Sequence, residues 1–163
     1  MKEIPLTRGY VALVDDADFE RVSQHKWHAQ THYRGNKVSR VYVLRHVRRA
    51  DGTWTTQLLH RFILEAESGL DVDHIDGNGL NNTRGNIRVC THSENLRNQK
   101  PRSGCSSLFK GVGWNRRGEM WQAYITVNGK MTHLGLFADE HEAAQAYDVA
   151  ARERFGVFAR VNF

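Results

Sequence analysis

The hydrophobic pattern of this chain stops and then restarts. Gln99-Lys-Pro-Arg-Ser-Gly-Cys-Ser-Ser107 gathers proline, glycine and three serines between two patterned halves. Such clusters mark loops and linkers. That break implies two small cores rather than one large one. With 163 residues in total, each half must fold near the size at which a single core is only marginally sufficient. A barrel enzyme with a large cofactor pocket is excluded. The sequence therefore divides into 1–98, a linker over 99–107, and 108–163.

The first half opens as strands. Val11 and Leu13 come after a Gly9-Tyr10 turn, and the acids Asp15, Asp16 and Asp18 predict a short helix to about His25, because acids favour a helix N-terminus. Lys26–Tyr33, Val38–His46 and Thr53–Leu59 alternate or carry β-branched and aromatic residues, with turns at Gly35-Asn36 and Asp51-Gly52. They predict supporting antiparallel strands over 1–58. Leu59–Glu67 reads as a short helix. A polar, Asn- and Gly-rich stretch from Asp71 to Asn86 then separates two short apolar runs, Leu70–Ile75 and Ile87–Cys90. Thr91-His-Ser-Glu94 is a capping box that starts a helix at His92.

Charge is segregated. Lysine and arginine exceed aspartate and glutamate by 23 to 18, a net +5. Residues 21–49 hold eight basic residues and no acid, and residues 77–118 hold eight against Glu94 alone. A basic surface of that kind suits a polyanion. No apolar run approaches a membrane span, and the N-terminus has no signal core, so a cytoplasmic protein without a membrane partner is expected. Cys90 and Cys105 form no CxxC pair and are expected to be reduced.

Asp73-His74 ends the first apolar run, Asn86 precedes the second, and Asn95 lies one turn into the capped helix. Two strands and a helix folded together would assemble these four. Carboxylate and amide oxygens are hard ligands that suit a magnesium-type cation with several waters of its own. A neutral histidine beside them can take a proton from an attacking water. A zinc site from His60, His74, Cys90 and His92 is the alternative, although the spacing matches no standard zinc pattern. Taken alone, Asp-Gly-Asn and Asn-Asn are common turn chemistry.

Leu59-His-Arg61, Val72-Asp-His-Ile-Asp-Gly-Asn78, Asn81-Asn82, Asn86-Ile-Arg88 and Thr91–Asn98 together resemble the HNH endonuclease family, and most of all its phage and intron homing subgroup. The resemblance implies a ββα-metal finger over 59–98. It implies His74 as general base, Asp73 and Asn95 as ligands of Mg2+ or Mn2+, and Asn86 as the residue that holds the loop and orients His74. Many relatives have histidine where Asn95 stands. The paired CxxC motifs of some relatives are missing, so the N-terminal strands must support the finger.

After the break, Phe109–Asn115, Met120–Val127 and Met131–Phe137 read as three strands, with turns at Arg117-Gly118 and Asn128-Gly129. Asp139 and Glu142 form a second capping box, and Gly156 stops the helix it opens. Ala143, Ala144, Ala146, Ala150 and Ala151 allow that helix to approach the sheet closely. Residues 108–137 carry four basic residues and one acid, whereas 139–155 carry five acids and two basic residues. The sheet is thus the face for DNA, and a three-stranded sheet can enter the major groove. Lys110-Gly-Val112, Trp121–Ile125, His133–Phe137, Glu142–Ala151 and Val161-Asn-Phe163 resemble the plant APETALA/ethylene-response-factor DNA-binding domain. By position, that resemblance places DNA contacts on Lys110, Gly113, Asn115, Arg117, Tyr124, Thr126, Met131 and His133. Several of these are arginine or tryptophan in the plant family, so its base preference does not transfer. The apolar face of Trp121 assigns it to the core. Arg116, Arg84 and Arg88 join the candidate DNA contacts from the basic runs.

The expected molecule is an α+β protein: a ββα-metal finger on N-terminal antiparallel strands, plus a small three-stranded sheet packed on one helix. Its expected activity is site-specific, one-metal hydrolysis of double-stranded DNA, as in a homing endonuclease, by a monomer or homodimer. The alternatives are a non-cutting DNA-binding regulator and a low-specificity HNH nuclease of phage DNA processing.

Overall fold

Alternation in the first half does produce strands, and their pairing is antiparallel throughout. The structure, a computed structural model, describes residues 1–99 and 104–163, so residues 100–103 of the expected linker (99–107) lie outside the described residues. The chain forms two compact units, Met1–His92 and Ser93–Phe163. It combines several small antiparallel sheets with few helices. No helix among the described residues is long and apolar enough to cross a membrane.

In the first unit, β1 (Lys2–Pro5) pairs with β2 (Val11–Val14), setting Ile4 opposite Ala12. The sequence pattern did not announce β1, because only Ile4 of its four residues is buried. Helix α1 (Asp16–Ser23) forms where the acids predict it. Strands β3 (His28–Arg34), β4 (Lys37–Arg48) and β5 (Trp54–Leu58) form one sheet with β4 central. Helix α2 (Leu59–Leu64) is shorter than expected and ends where Glu65 turns left-handed at φ 51. Strands β6 (Asp71–His74) and β7 (Ile87–Cys90) pair with Asp73 opposite Arg88 and His74 opposite Ile87. The core draws on β1, β2, α1, β4, α2, β6 and β7. Val14, Val22, Val43, Leu59 and Ile63 are its most buried aliphatic residues, and each contributes roughly 1.5–3 kcal/mol by leaving water.

Helix α3 (His92–Arg97) starts where the capping box puts it. Apart from His92, it packs within the second unit. There β8 (Val112–Asn115), β9 (Met120–Val127) and β10 (Lys130–Phe137) form an antiparallel sheet with β9 central. Helix α4 (Glu140–Phe155) begins at Asp139, whose side chain accepts from the amides of His141 (2.7 Å) and Glu142 (3.1 Å). Its buried alanines meet Ala123 and Ile125 of β9 in two small clusters. The tail is tied back by Asp148, which accepts from Asn162 N (2.8 Å) and Phe163 N (2.9 Å).

Candidate active site

The polar stretch between β6 and β7 is ordered by its own side chains. Asp76 accepts from Asn78 N (2.7 Å), Asn81 Nδ2 (2.9 Å) and Asn86 Nδ2 (2.9 Å). Asn86 closes the ring: its Oδ1 accepts from Asp76 N (3.1 Å) and its Nδ2 also donates to Asn81 O (2.8 Å). Burial raises the Asp76 carboxyl, but those donors outweigh it and hold its pKa below the usual carboxylate value. The loop is also stitched to an edge of β2, with Leu13 N donating to Leu80 O and Asn82 N to Leu13 O, both at 2.8 Å.

Arg84 anchors the loop from below. Its guanidinium grips buried Asp18 of α1 at 2.7 and 2.8 Å, while its backbone N–H donates to Asp15 (2.7 Å). The sequence suggested a DNA contact for Arg84; the structure places it as a bolt between loop and helix. Hydrogen bonding from Arg84 lowers the Asp18 pKa despite burial, with Arg21 assisting.

Asp73 and His74 both end β6 in buried positions, 7% and 5% exposed. The Asp73 carboxylate receives Arg88 from the facing strand, Nη2 at 2.8 Å and Nε at 3.2 Å. Arg88, a second candidate DNA contact, thus also acts inside the site. His74 Nε2 lies 3.3 Å from Asn82 Oδ1. Asn82 is fully buried, and its Nδ2 donates to Gly79 O at 3.2 Å, which turns its oxygen toward the imidazole. In that pairing His74 carries its proton on Nε2. Burial pushes the His74 pKa below that of an ordinary histidine, against the opposing pull of Asn82, Asp76 and Asp73. At neutral pH the ring is therefore uncharged. His60 lies edge-on to it, 4.8 Å between centroids. Burial first, then His74 and Arg61, push His60 down to about 3.

Asp73, His74 and Asn86 are thus gathered in the first unit, while Asn95 stands half-buried on α3 among the residues of the second. Sequence reasoning missed Asn82 as a site residue and, although it named both Asp73 and Arg88, missed their pairing. The available signal for Asn82 was an asparagine pair where one turn residue suffices. Among the described residues no three histidine, cysteine or acidic side chains are grouped to hold a metal, which does not suit the four-ligand zinc alternative. His92 instead reaches Asp71 at 3.0 Å. A hard cation that keeps most of its water needs only one or two protein oxygens. The buried Asp73 carboxylate is a hard oxygen donor of that kind, with its Oδ2 engaged by Arg88.

In the second unit, Asn115 Oδ1 accepts from Arg117 N (3.0 Å) and Gly118 N (3.1 Å), which shapes the β8–β9 turn and leaves Arg116 and Arg117 exposed. Tyr124 and Thr126 alternate with buried Ala123 and Ile125, and His133 pairs opposite Tyr124. These side chains lie on the face away from α4. Trp121 is half-buried, with Trp114 edge-on to it at 5.0 Å. Lys110 differs from the others, since its ammonium donates to Arg97 O and Gln99 O.

Comparison with known proteins bears on this arrangement. A family model described as HNH endonuclease matches residues 57–97. Protein 3.8 of Escherichia phage T7 is 40% identical over 93 residues, covering 56% of this chain and 75% of that protein. An uncharacterized HNH endonuclease of Acanthamoeba polyphaga mimivirus is 36% identical over 110 residues, covering 64% of this chain and 56% of that protein. APETALA2-like protein 2 of Oryza sativa subsp. indica is 44% identical over 63 residues, which is 39% of this chain but 14% of that protein. The β6–loop–β7 segment falls inside the matched family range, and the phage relative is covered over most of its length. On these grounds the chain belongs to the HNH endonuclease family of DNA-cleaving hydrolases.

Proposed function

We propose that this chain is a site-specific endonuclease that hydrolyses phosphodiester bonds of double-stranded DNA, of the homing type, with the ββα finger of residues 59–98 as its cutting element. The observation that carries the reading is the adjacency of a buried carboxylate, Asp73, and a buried neutral imidazole, His74. Asp73 and Asn95 are the protein ligands of a divalent cation, Mg2+ or Mn2+. When bound, such a cation stabilises the charge that develops on the leaving oxygen. His74 is the general base that takes the proton of the attacking water. Asn82 fixes the imidazole tautomer, and Asn86 holds the loop that carries both. Residues 108–163 bind the duplex through Asn115, Arg116, Arg117, Tyr124, Thr126 and His133, and exposed Arg34, Lys37 and Arg40 of the β3–β4 hairpin add phosphate contacts.

A second reading, a DNA-binding protein that does not cut, draws on the Arg88–Asp73 ion pair, which sets a guanidinium on the oxygen a metal would take. Supercoiled plasmid and a library of random duplexes separate the readings, with Mg2+, with Mn2+ and with EDTA. Metal-dependent nicking or linearisation that His74→Ala reduces by at least about a hundredfold supports the first. Tight, salt-sensitive binding with no cleavage of any duplex in the library supports the second. Cleavage of many unrelated duplexes would overturn site specificity while leaving the chemistry in place.

A further inference from the structure

Helix α3 is six residues long and buries none of them. A helix that short does not persist on its own, and no apolar stripe anchors this one. It borders a cavity of about 510 Å3 lined by Leu96, Arg97, Lys110, Tyr147 and Phe155 among others, so close packing does not fix it. Polar contacts do reach its C-terminal end. The Lys110 ammonium donates to Arg97 O and, at 2.9 Å, to Gln99 O, carbonyls that a helix end leaves without intrahelical donors. The Arg97 guanidinium lies 4.8 Å above the Phe155 ring, and Arg160 reaches Asn98 O at 3.5 Å.

The lysine stands on a rigid base. Asn162 clamps its backbone from both sides, accepting from Lys110 N at 2.7 Å and donating to Lys110 O at 3.2 Å. Asn162 is in turn held by Asp148, which is 2% exposed. Gly111 comes next at φ +75, where a Cβ would fall 2.0 Å from the Tyr147 ring. This part of the chain can therefore yield little. Burial, with Arg160 nearby, pushes the lysine down to about 8, the mark of an ammonium withdrawn from water rather than presented to a phosphate.

We propose that Lys110 is a positioning residue: it caps α3 on the rigid base of the second unit and so orients Asn95, three residues before Asn98, toward its metal. The inference rests on the reading of Asn95 as a metal ligand.

The test uses the full chain, with Mn2+ binding followed by electron paramagnetic resonance in the absence of DNA, and amide hydrogen exchange across α3. Lys110→Met should remove exchange protection at Leu96–Gln99 and weaken Mn2+ binding about tenfold, the lower range for loss of a supporting partner. DNA affinity and its salt slope should stay unchanged. Lys110→Arg, which keeps two donors, should restore both losses. Retained protection at β9 shows that the variant is folded; if it is lost, Lys110→Gln, which keeps a shorter, uncharged donor group, is used in its place and should show a smaller loss of the same kind. Unchanged α3 exchange and Mn2+ binding in the folded variant would overturn the proposal. So would a fall in DNA affinity with a shallower salt slope, which would make Lys110 a phosphate contact. Asn95→Ala separates the two levels. If it leaves Mn2+ binding intact, the ligand reading fails; if it abolishes binding while Lys110→Met does not alter it, only the positioning role fails.

Discussion

His60 is the most buried histidine of the chain, and its Nδ1 has no hydrogen-bond partner among the described residues. Burial depresses its folded pKa from 6.5 to about 3. The stabilisation from keeping it neutral is complete above the unfolded value and is lost as pH falls from about 6.5 toward 3. His60→Leu removes that loss. In urea titrations the wild type should lose about 2 kcal/mol more than the variant between pH 6.5 and pH 5; parallel pH dependences would place His60 in contact with water. At this scale the sequence was partly legible. The Asp73-His74 pair could be read because adjacency is local. The pairing of Asp73 with Arg88 could not, because it depends on which residue the β6–β7 register sets opposite. Asn82 escaped for a similar reason, since its role depends on burial that no spacing reveals.

Elements with chemical punctuation were legible in full. Asp139 and Gly156 bound α4, and Asn128-Gly129 joins β9 to β10. Elements defined by a partner were not: β1 exists because β2 pairs with it, and the loop after β6 finds its place along β2. That loop also comes very close to β4 at Gly79, where a Cβ would lie 2.2 Å from Val41 O and 3.0 Å from the Tyr42 ring. Backbone cannot give way as a flexible side chain can. Gly79→Ala must therefore displace the loop that carries Asn82, and overpacking of this kind costs about 1–3 kcal/mol. The expected outcome is a lower denaturation midpoint with a greater loss in single-turnover cleavage than in DNA affinity. Equal losses in both would show that the loop serves docking alone.

For the whole molecule, the charge segregation seen in the sequence has a location: Arg116 and Arg117 stand exposed at the β8–β9 turn. Each phosphate contact contributes about 0.9 to the slope of log affinity against log salt. Replacing both arginines by alanine should flatten that slope by about 1.8, as read from anisotropy titrations over a salt series; an unchanged slope would move the docking surface elsewhere. The division of the molecule was less legible than its charge. The Pro-Gly-Ser segment after Asn98 reads as the border between modules, yet the compact units meet between His92 and Ser93, inside α3. The family match runs on to residue 97. One short helix thus belongs to the nuclease by sequence and to its neighbour by contact. Anyone who recombines such modules to redirect cutting must choose the junction accordingly. A graft cut at the linker would leave α3 without the lysine and the aromatic ring that hold it, whereas a donor piece that begins ahead of Thr91 carries the helix together with its supports.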